Sequence, residues 1–294
     1  MARREALAGY LFVAPLLLGL LAFTLGPILQ SLYISFTRYD IFTPSTFVGL
    51  RNYKALLADR LFWQSLKITT IYAVVSVPLQ LSLGLAVALL MNAKVRGITL
   101  FRTIYYLPAV VSGVAVSLLW VWIFNPSYGL ANVALKAVGL PPQRWLADPA
   151  TALPSLIFMS LWGIGGGMVI YLAGLQGVPE HLYESASLDG ANALQQFRHV
   201  TLPMLTPVIF YNLVMGLIGS FQTFTQAFVM TSGGPANATL FYVLYLFRQA
   251  FSYFHMGYAS AMAWVLFSII LVLTLLVFKS SALWVYTEGK RERG

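Results

Sequence analysis

An all-α, polytopic membrane fold with about six transmembrane helices is what this sequence predicts, on three observations. Hydrophobic residues fill 59% of its 294 positions, and the mean hydropathy is +0.77, far from soluble globular chains. Six segments run without Asp, Glu, Lys or Arg over the roughly 20 residues that a helix needs to cross the hydrocarbon core. Apolar residues show no period of two, which argues against a membrane β-barrel.

The first span is expected over Leu11–Phe36. Its uncharged run from Ala6 to Thr37 is too long for the apolar stretch of a signal peptide and no A-x-A site follows, so it reads as a retained anchor. The following stretch Arg51–Leu57, RNYKALL, has the pattern of a short amphipathic helix on the membrane surface. The second span is Ile68–Met91 and the third Thr103–Phe124. The fourth, Leu153–Leu175, contains Gly163–Gly167, GIGGG, which should loosen its helix. The fifth is Leu205–Met230, entered through Pro203 and Pro207, and the sixth is Gly257–Phe278. Loops at Asn125–Gly129 (NPSYG), Gly139–Pro142 (GLPP) and Ser232–Asn237 (SGGPAN) carry turn chemistry.

Lys and Arg placement sets the expected orientation. The bias is narrow, but Arg3, Arg4 and the basic end Lys290–Arg293 directly abut spans, and an even span number puts both termini on one side, the cytoplasm. The expected organisation is a cytoplasmic N-terminus at 1–10, a membrane domain at 11–286 and a cytoplasmic tail at 287–294. Segments 37–67, 125–152 and 231–256 would face outward, and 92–102 and 176–200 inward.

Several function classes are excluded or disfavoured. There is no cysteine and the three histidines are scattered, so no metal site is expected. The charge of +9 lies at span flanks and not in a stripe with interleaved aromatics, which disfavours nucleic acid. No acid, base or metal set falls in a span, so no catalytic residue is assigned. Without intramembrane carboxylates or a GxxxxGK[ST] loop, coupling to protons, Na⁺ or ATP within this chain is not expected. A stand-alone carrier or channel for a neutral polar solute is the alternative to a subunit driven from outside.

The stretch Tyr183–Pro203, YESASLDGANALQQFRHVTLP, and the residues just before it concentrate scarce charge: Glu180, Glu184 and Asp189, within ten positions, are three of nine acidic residues. Pro179 and Glu180 suit a helix start, Gly190 a left-handed stop and Asn192 an N-cap for a second helix through about Val200. A helix–turn–helix under the inner leaflet is expected. It is either a solvated loop or a docking element, with small Ser185 and Ala186 admitting a partner, Glu184 and Asp189 meeting its cations, and Phe197 and Leu194 as apolar anchors.

The pattern E-S-A-x-x-D-G-A-x(9)-T-L-P at Glu184–Pro203 resembles the EAA loop of ABC importer permeases, with Ser185 where Ala is commoner. FVGLRNY at Phe47–Tyr53, FRTIYYLP at Phe101–Pro108, LAGLQGVPEHLYE at Leu172–Glu184 and TSGGPANAT at Thr231–Thr239 are similar to the carbohydrate, maltose-type branch of that binding-protein-dependent family. The resemblance implies a type I-like importer fold in a bacterial or archaeal cytoplasmic membrane. It implies a sister permease subunit, a cytoplasmic ATPase dimer that holds the ATP and Mg, and an extracytoplasmic solute-binding protein. This chain itself would bind no cofactor. An ATPase would dock at Glu184, Ser185, Ala186, Asp189, Gly190, Phe197, Leu202 and Pro203.

Asn212, Gly216, Gly219, Thr223 and Gln226 fall on one face of the fifth span. That polar or small face should avoid lipid, either by packing on another helix or by lining a solute path. The resemblance implies a path along the fourth and fifth spans, at Trp162, Gly163 and Gly166 and then Gly216, Gly219, Ser220 and Thr223.

Overall fold

The computed structural model describes residues 2–93 and 95–286, with side chains from Gly9 onward; the expected tail at 287–294 and the side chains of Arg3, Arg4 and Lys94 lie outside them. α1 (Ala2–Leu20) runs through a π-turn, Leu21–Leu25, into α2 (Gly26–Ser35). Pro27 has no N–H to return to the preceding turn. The backbone widens there, and the Gly26 N–H bonds back to the Leu21 carbonyl. A short antiparallel ribbon pairs β1 (Thr37–Arg38) with β2 (Thr46–Phe47), Thr37 opposite Phe47 and Arg38 opposite Thr46. Then come α3 (Arg51–Ala58), the expected amphipathic helix, and α4 (Arg60–Met91), 32 residues long.

The expected third span is two helices, α5 (Ile98–Val110) and α6 (Gly113–Ile123), bent by 99°. Val111 and Ser112 between them have extended ψ angles of 141° and 132°, and Pro108 has already removed one hydrogen bond from the last turn of α5. α7 (Leu130–Ala137) follows. α8 (Pro149–Ser160) starts on an Asp148 carboxylate accepting the Ala150 N–H at 2.8 Å. It continues as a 3₁₀ turn to Gly163 and meets α9 (Gly165–Gln176) at 43°, at the GIGGG run. After α10 (Glu180–Leu188) and α11 (Ala193–Gln196) come α12 (Leu202–Phe221), α13 (Tyr242–Phe247) and α14 (Met256–Trp284). Among the described residues four helices are long and apolar enough to span a membrane, and six if each bent pair is one span.

The expected fifth span also changes form. It begins earlier, because α11, a π-turn at Phe197–Thr201 and α12 form one helix, Ala193–Phe221. Pro203 cannot donate a backbone hydrogen bond, and the widened turn just before it accommodates the ring. It also ends earlier: Gln222 caps α12, its N–H bonding to the Ile218 and Gly219 carbonyls. Gly216 and Gly219 weaken this end, so Thr223 and Gln226 lie beyond the helix and not on its stripe.

The chain forms two compact units. The first joins residues up to Trp63 with Tyr245–Ser268. Asn52 Nδ2 donates to the Ser35 and Thr37 carbonyls at 2.8 and 2.9 Å, tying α3 to the end of α2. Gly257 is packed so closely on the Thr37 carbonyl that a Cβ would collide with it. Asp59 Oδ2 accepts from the Tyr245 and Tyr258 hydroxyls at 2.5 and 2.6 Å, while Oδ1 accepts the Leu61 N–H at 2.8 Å.

The second unit comprises Gln64–Leu244 and the chain from Ile269. Its apolar centre is built by Ala88, Met91, Met168, Tyr171, Leu175 and Leu205, from α4, α9 and α12. Gly165 rests against the α5 backbone, where a Cβ would strike the Tyr105 carbonyl oxygen. Arg102 donates Nε and Nη2 to the Met91 carbonyl at 3.0 and 2.7 Å, closing the α4 C-terminus with a cation. In the 125–145 loop, buried Asn132 makes four hydrogen bonds of 2.8–2.9 Å, to Pro126 O, Gln143 O, Gln143 N–H and Trp145 Nε1–H.

Candidate functional site

The stretch at 179–203 is folded by local chemistry. α10 starts one residue later than Pro179, which is extended (φ −61°, ψ 131°) and acts as the N-cap, with Glu180 in the first turn. The helix ends in a Schellman motif. The Ala191 N–H bonds to the Ala186 carbonyl (2.9 Å) and the Gly190 N–H to the Ser187 carbonyl (3.0 Å), with Gly190 at φ +80°. Asn192 opens α11 through a capping box: its Oδ1 accepts the Gln195 N–H at 3.0 Å, and Gln195 Oε1 accepts the Asn192 N–H at 2.8 Å. The two helices are held to one another by Gln196 Nε2, which donates to Ser187 Oγ (3.0 Å) and the Ala191 carbonyl (3.2 Å). Tyr183 and Thr201 hydroxyls meet at 3.0 Å.

The second helix does not end at about Val200 as expected. It runs directly into α12, and Leu205 anchors that helix in the core at 0% exposure. Leu202 and Pro203, expected in the docking set, therefore sit on this continuous helix, half-buried.

The tip is open and apolar. Leu188 is 90% exposed and Leu194 74%. Glu184, Asp189 and Gly190 are exposed as well, and neither carboxylate has a partner among the described residues. A cleft of about 320 Å³ at the turn is lined by Ala186, Asp189, Gly190, Ala191, Gln195 and His199. Ser185 is outside this lining and turns its hydroxyl to the His181 carbonyl at 2.9 Å. Phe197 is half-buried in the π-turn. Leu188, Gln195 and His199 escaped the sequence reading; Leu188 was legible as an apolar residue just before a Gly stop.

The expected path residues divide. Gly163, Asn212 and Gly216 line one small cavity of about 140 Å³ with Gln80 and Tyr171. Asn212 Nδ2 donates to the Val208 carbonyl at 3.0 Å, and its Oδ1 faces Gly167. Gln80 Nε2 donates to Ser160 Oγ at 3.0 Å. Trp162 is 51% exposed and packs edge-on against Trp120. Gly166 packs toward Ala109, whereas Gly219 faces open space. Ser220 is buried with its hydroxyl bonded to Leu217 O at 2.8 Å. Among the described residues no group of His, Cys, Asp and Glu could hold a metal ion.

Residues 80–284 match the family described as binding-protein-dependent transport system inner membrane component. The chain belongs to that family. It is 46% identical over 295 residues to the probable ABC transporter permease protein YesP of Bacillus subtilis, covering 99% of this chain and 95% of that one. It is 36% identical over 281 residues to the trehalose/maltose transport system permease protein MalF of Thermococcus litoralis, covering 94% of each. The fold matches a crystal structure of a bacterial ABC transporter involved in the import of the acidic polysaccharide alginate. There the TM-score is 0.84 at 25% identity, over 95% of this chain and 96% of the other. The chain is thus a membrane-spanning permease subunit, and the 179–203 loop lies within the matched region.

Proposed function

We propose that this permease subunit forms half of a path for a saccharide, paired with a sister permease and driven by a separate cytoplasmic ATPase that binds ATP and Mg. Both termini and the 179–203 loop face the cytoplasm of a bacterium or archaeon in this reading, and a solute-binding protein delivers the saccharide to the outer loops. The saccharide class rests on the relatives, one named for trehalose and maltose and one an alginate importer. The charge of the sugar differs between those two.

The observation that carries the docking role is the tip itself. Two leucines at 90% and 74% exposure flank a turn with unpaired carboxylates at Glu184 and Asp189, on a segment rigidified by a Schellman motif and a capping box. Exposed apolar side chains beside unpaired charge mark a protein-binding surface. Leu188 and Leu194 supply the desolvated contact, and Glu184 and Asp189 pair with Arg or Lys of the ATPase. The cavity at Gly163, Asn212 and Gly216 offers amide groups to sugar hydroxyls on the path. Charge reversal tests the assignment: Glu184→Lys and Asp189→Lys should abolish co-purification of the ATPase while leaving solute-binding-protein affinity intact. Wild-type ATPase association in both variants would defeat the docking role.

A further inference from the structure

The first unit contains a cavity of about 940 Å³ that the docking loop and the helix-lined path do not use. Its volume is within the range of small-molecule sites. The two carboxylates on its wall already accept hydrogen bonds from the protein. Asp59 is held by two tyrosine hydroxyls and a backbone N–H. Asp40 Oδ1 accepts the N–H and hydroxyl of Thr43 at 2.9 and 2.8 Å. Gln249 Nε2 donates to the Tyr245 hydroxyl at 2.8 Å, and its Oε1 meets His255 Nδ1 at 3.0 Å, so His255 carries its hydrogen on Nδ1.

Donors remain. Arg38 and Arg51 line the same cavity, and neither guanidinium has a partner among the described residues. Tyr39 and Tyr253 add two aromatic rings to the wall, and Tyr253 is 54% exposed. Free guanidinium forks match a carboxylate by two parallel hydrogen bonds, and an exposed aromatic ring offers a flat apolar surface for the C–H face of a pyranose.

We propose that this cavity is a saccharide site, separate from the α9–α12 path, that selects a sugar unit bearing a carboxylate through Arg38 and Arg51. The site rests on the reading above in one respect, that saccharide reaches this face of the protein. Its chemistry makes the sugar acidic, which the relatives leave open.

The test uses the full-length chain in lipid nanodiscs and three probes of similar length: trigalacturonate, neutral maltotriose and triglutamate. Trigalacturonate should bind at least about tenfold more tightly than maltotriose, and more weakly as salt is raised. Arg38→Gln combined with Arg51→Gln should erase that preference, with an unchanged melting temperature showing that the variant folds. Tyr253→Ala should weaken both sugars and leave triglutamate unaffected. Equal affinity for the two trisaccharides, or a preference that survives the double variant, would overturn the site. Triglutamate binding as tight as trigalacturonate would make it a carboxylate site for peptide and overturn the saccharide assignment. ATP-driven uptake of a sugar by the reconstituted transporter reports on the permease reading separately, and would stand even if this cavity showed no preference.

Discussion

Replacing Gly190 by alanine separates backbone conformation from packing in the docking loop. Gly190 holds φ +80°, and a Cβ added there meets no atom within 4 Å. The cost of the substitution is therefore conformational, about 1–2 kcal/mol for an L-residue in the left-handed region. The two hydrogen bonds that close α10, Gly190 to Ser187 and Ala191 to Ala186, require that conformation. If the ATPase binds the loop as folded here, the cost is subtracted from association. At 1.4 kcal/mol per factor of ten, the dissociation constant rises about 5- to 30-fold. Gly190→Asn is the control, because asparagine tolerates the left-handed region and should recover most of the loss. The assay is a titration of each nanodisc-embedded variant with the purified ATPase subunit, read by biolayer interferometry, with circular dichroism confirming equal helicity. Alanine and asparagine variants that both bind as the wild type does would refute the idea that this turn is what the ATPase grips.

Gly165→Ala should lower the thermal unfolding midpoint in detergent by several degrees, a loss of about 2–3 kcal/mol, because the atom it would strike is the immovable Tyr105 carbonyl. Gly219→Ala, facing open space within α12, should instead raise the midpoint slightly through the gain in helix propensity. Asn132→Ala leaves four loop groups without their partner and should destabilise by about 3 kcal/mol, followed by tryptophan fluorescence during unfolding. At Asp59, burial works to raise the carboxyl, but hydrogen bonds from Tyr245, Tyr258 and the Leu61 and Phe62 N–H groups outweigh it and hold it below its ordinary value of 3.8. Its contribution is then complete above pH 3.8 and is lost as pH falls through the lower folded value. The midpoint should drop more steeply below about pH 4 in wild type than in Asp59→Asn; parallel curves would contradict the clamp.

Local chemistry was legible in the sequence, and long-range pairing was not. Gly190 and Asn192 announced a left-handed stop and an N-cap, and the structure has both, because each depends on bonds spanning three to five residues. The GIGGG run announced a weak point, and α8 and α9 bend there. The 99° bend after Val110 was missed: apolar residues on both sides give a continuous hydropathy signal, and the extended Val111 and Ser112 carry no charge to mark it. The fifth span was placed too late and ended too late, since a π-turn lets a helix absorb Pro203 while Gly219 marks its true end weakly. The tyrosine clamp on Asp59 was not legible. Tyr245 and Tyr258 lie 186 and 199 residues away, a separation at which neither periodicity nor spacing speaks. In the path set, Gly163, Asn212 and Gly216 share a cavity, whereas the burial of Ser220 was hidden because both sides of a packed helix look alike in sequence.

The unbroken helix from Ala193 to Phe221 has a mechanical consequence. Its 29 residues rise about 1.5 Å each, so Ala193 and Phe221 stand at the two ends of a rod of about 43 Å. Pivoting on the buried Leu205, which sits near its middle, a tilt of about 10° would swing the two ends in opposite directions by a combined 7 Å or so. A push on the loop that precedes Ala193 is thereby carried through the pivot into a displacement of about 4 Å at Phe221, in the opposite direction.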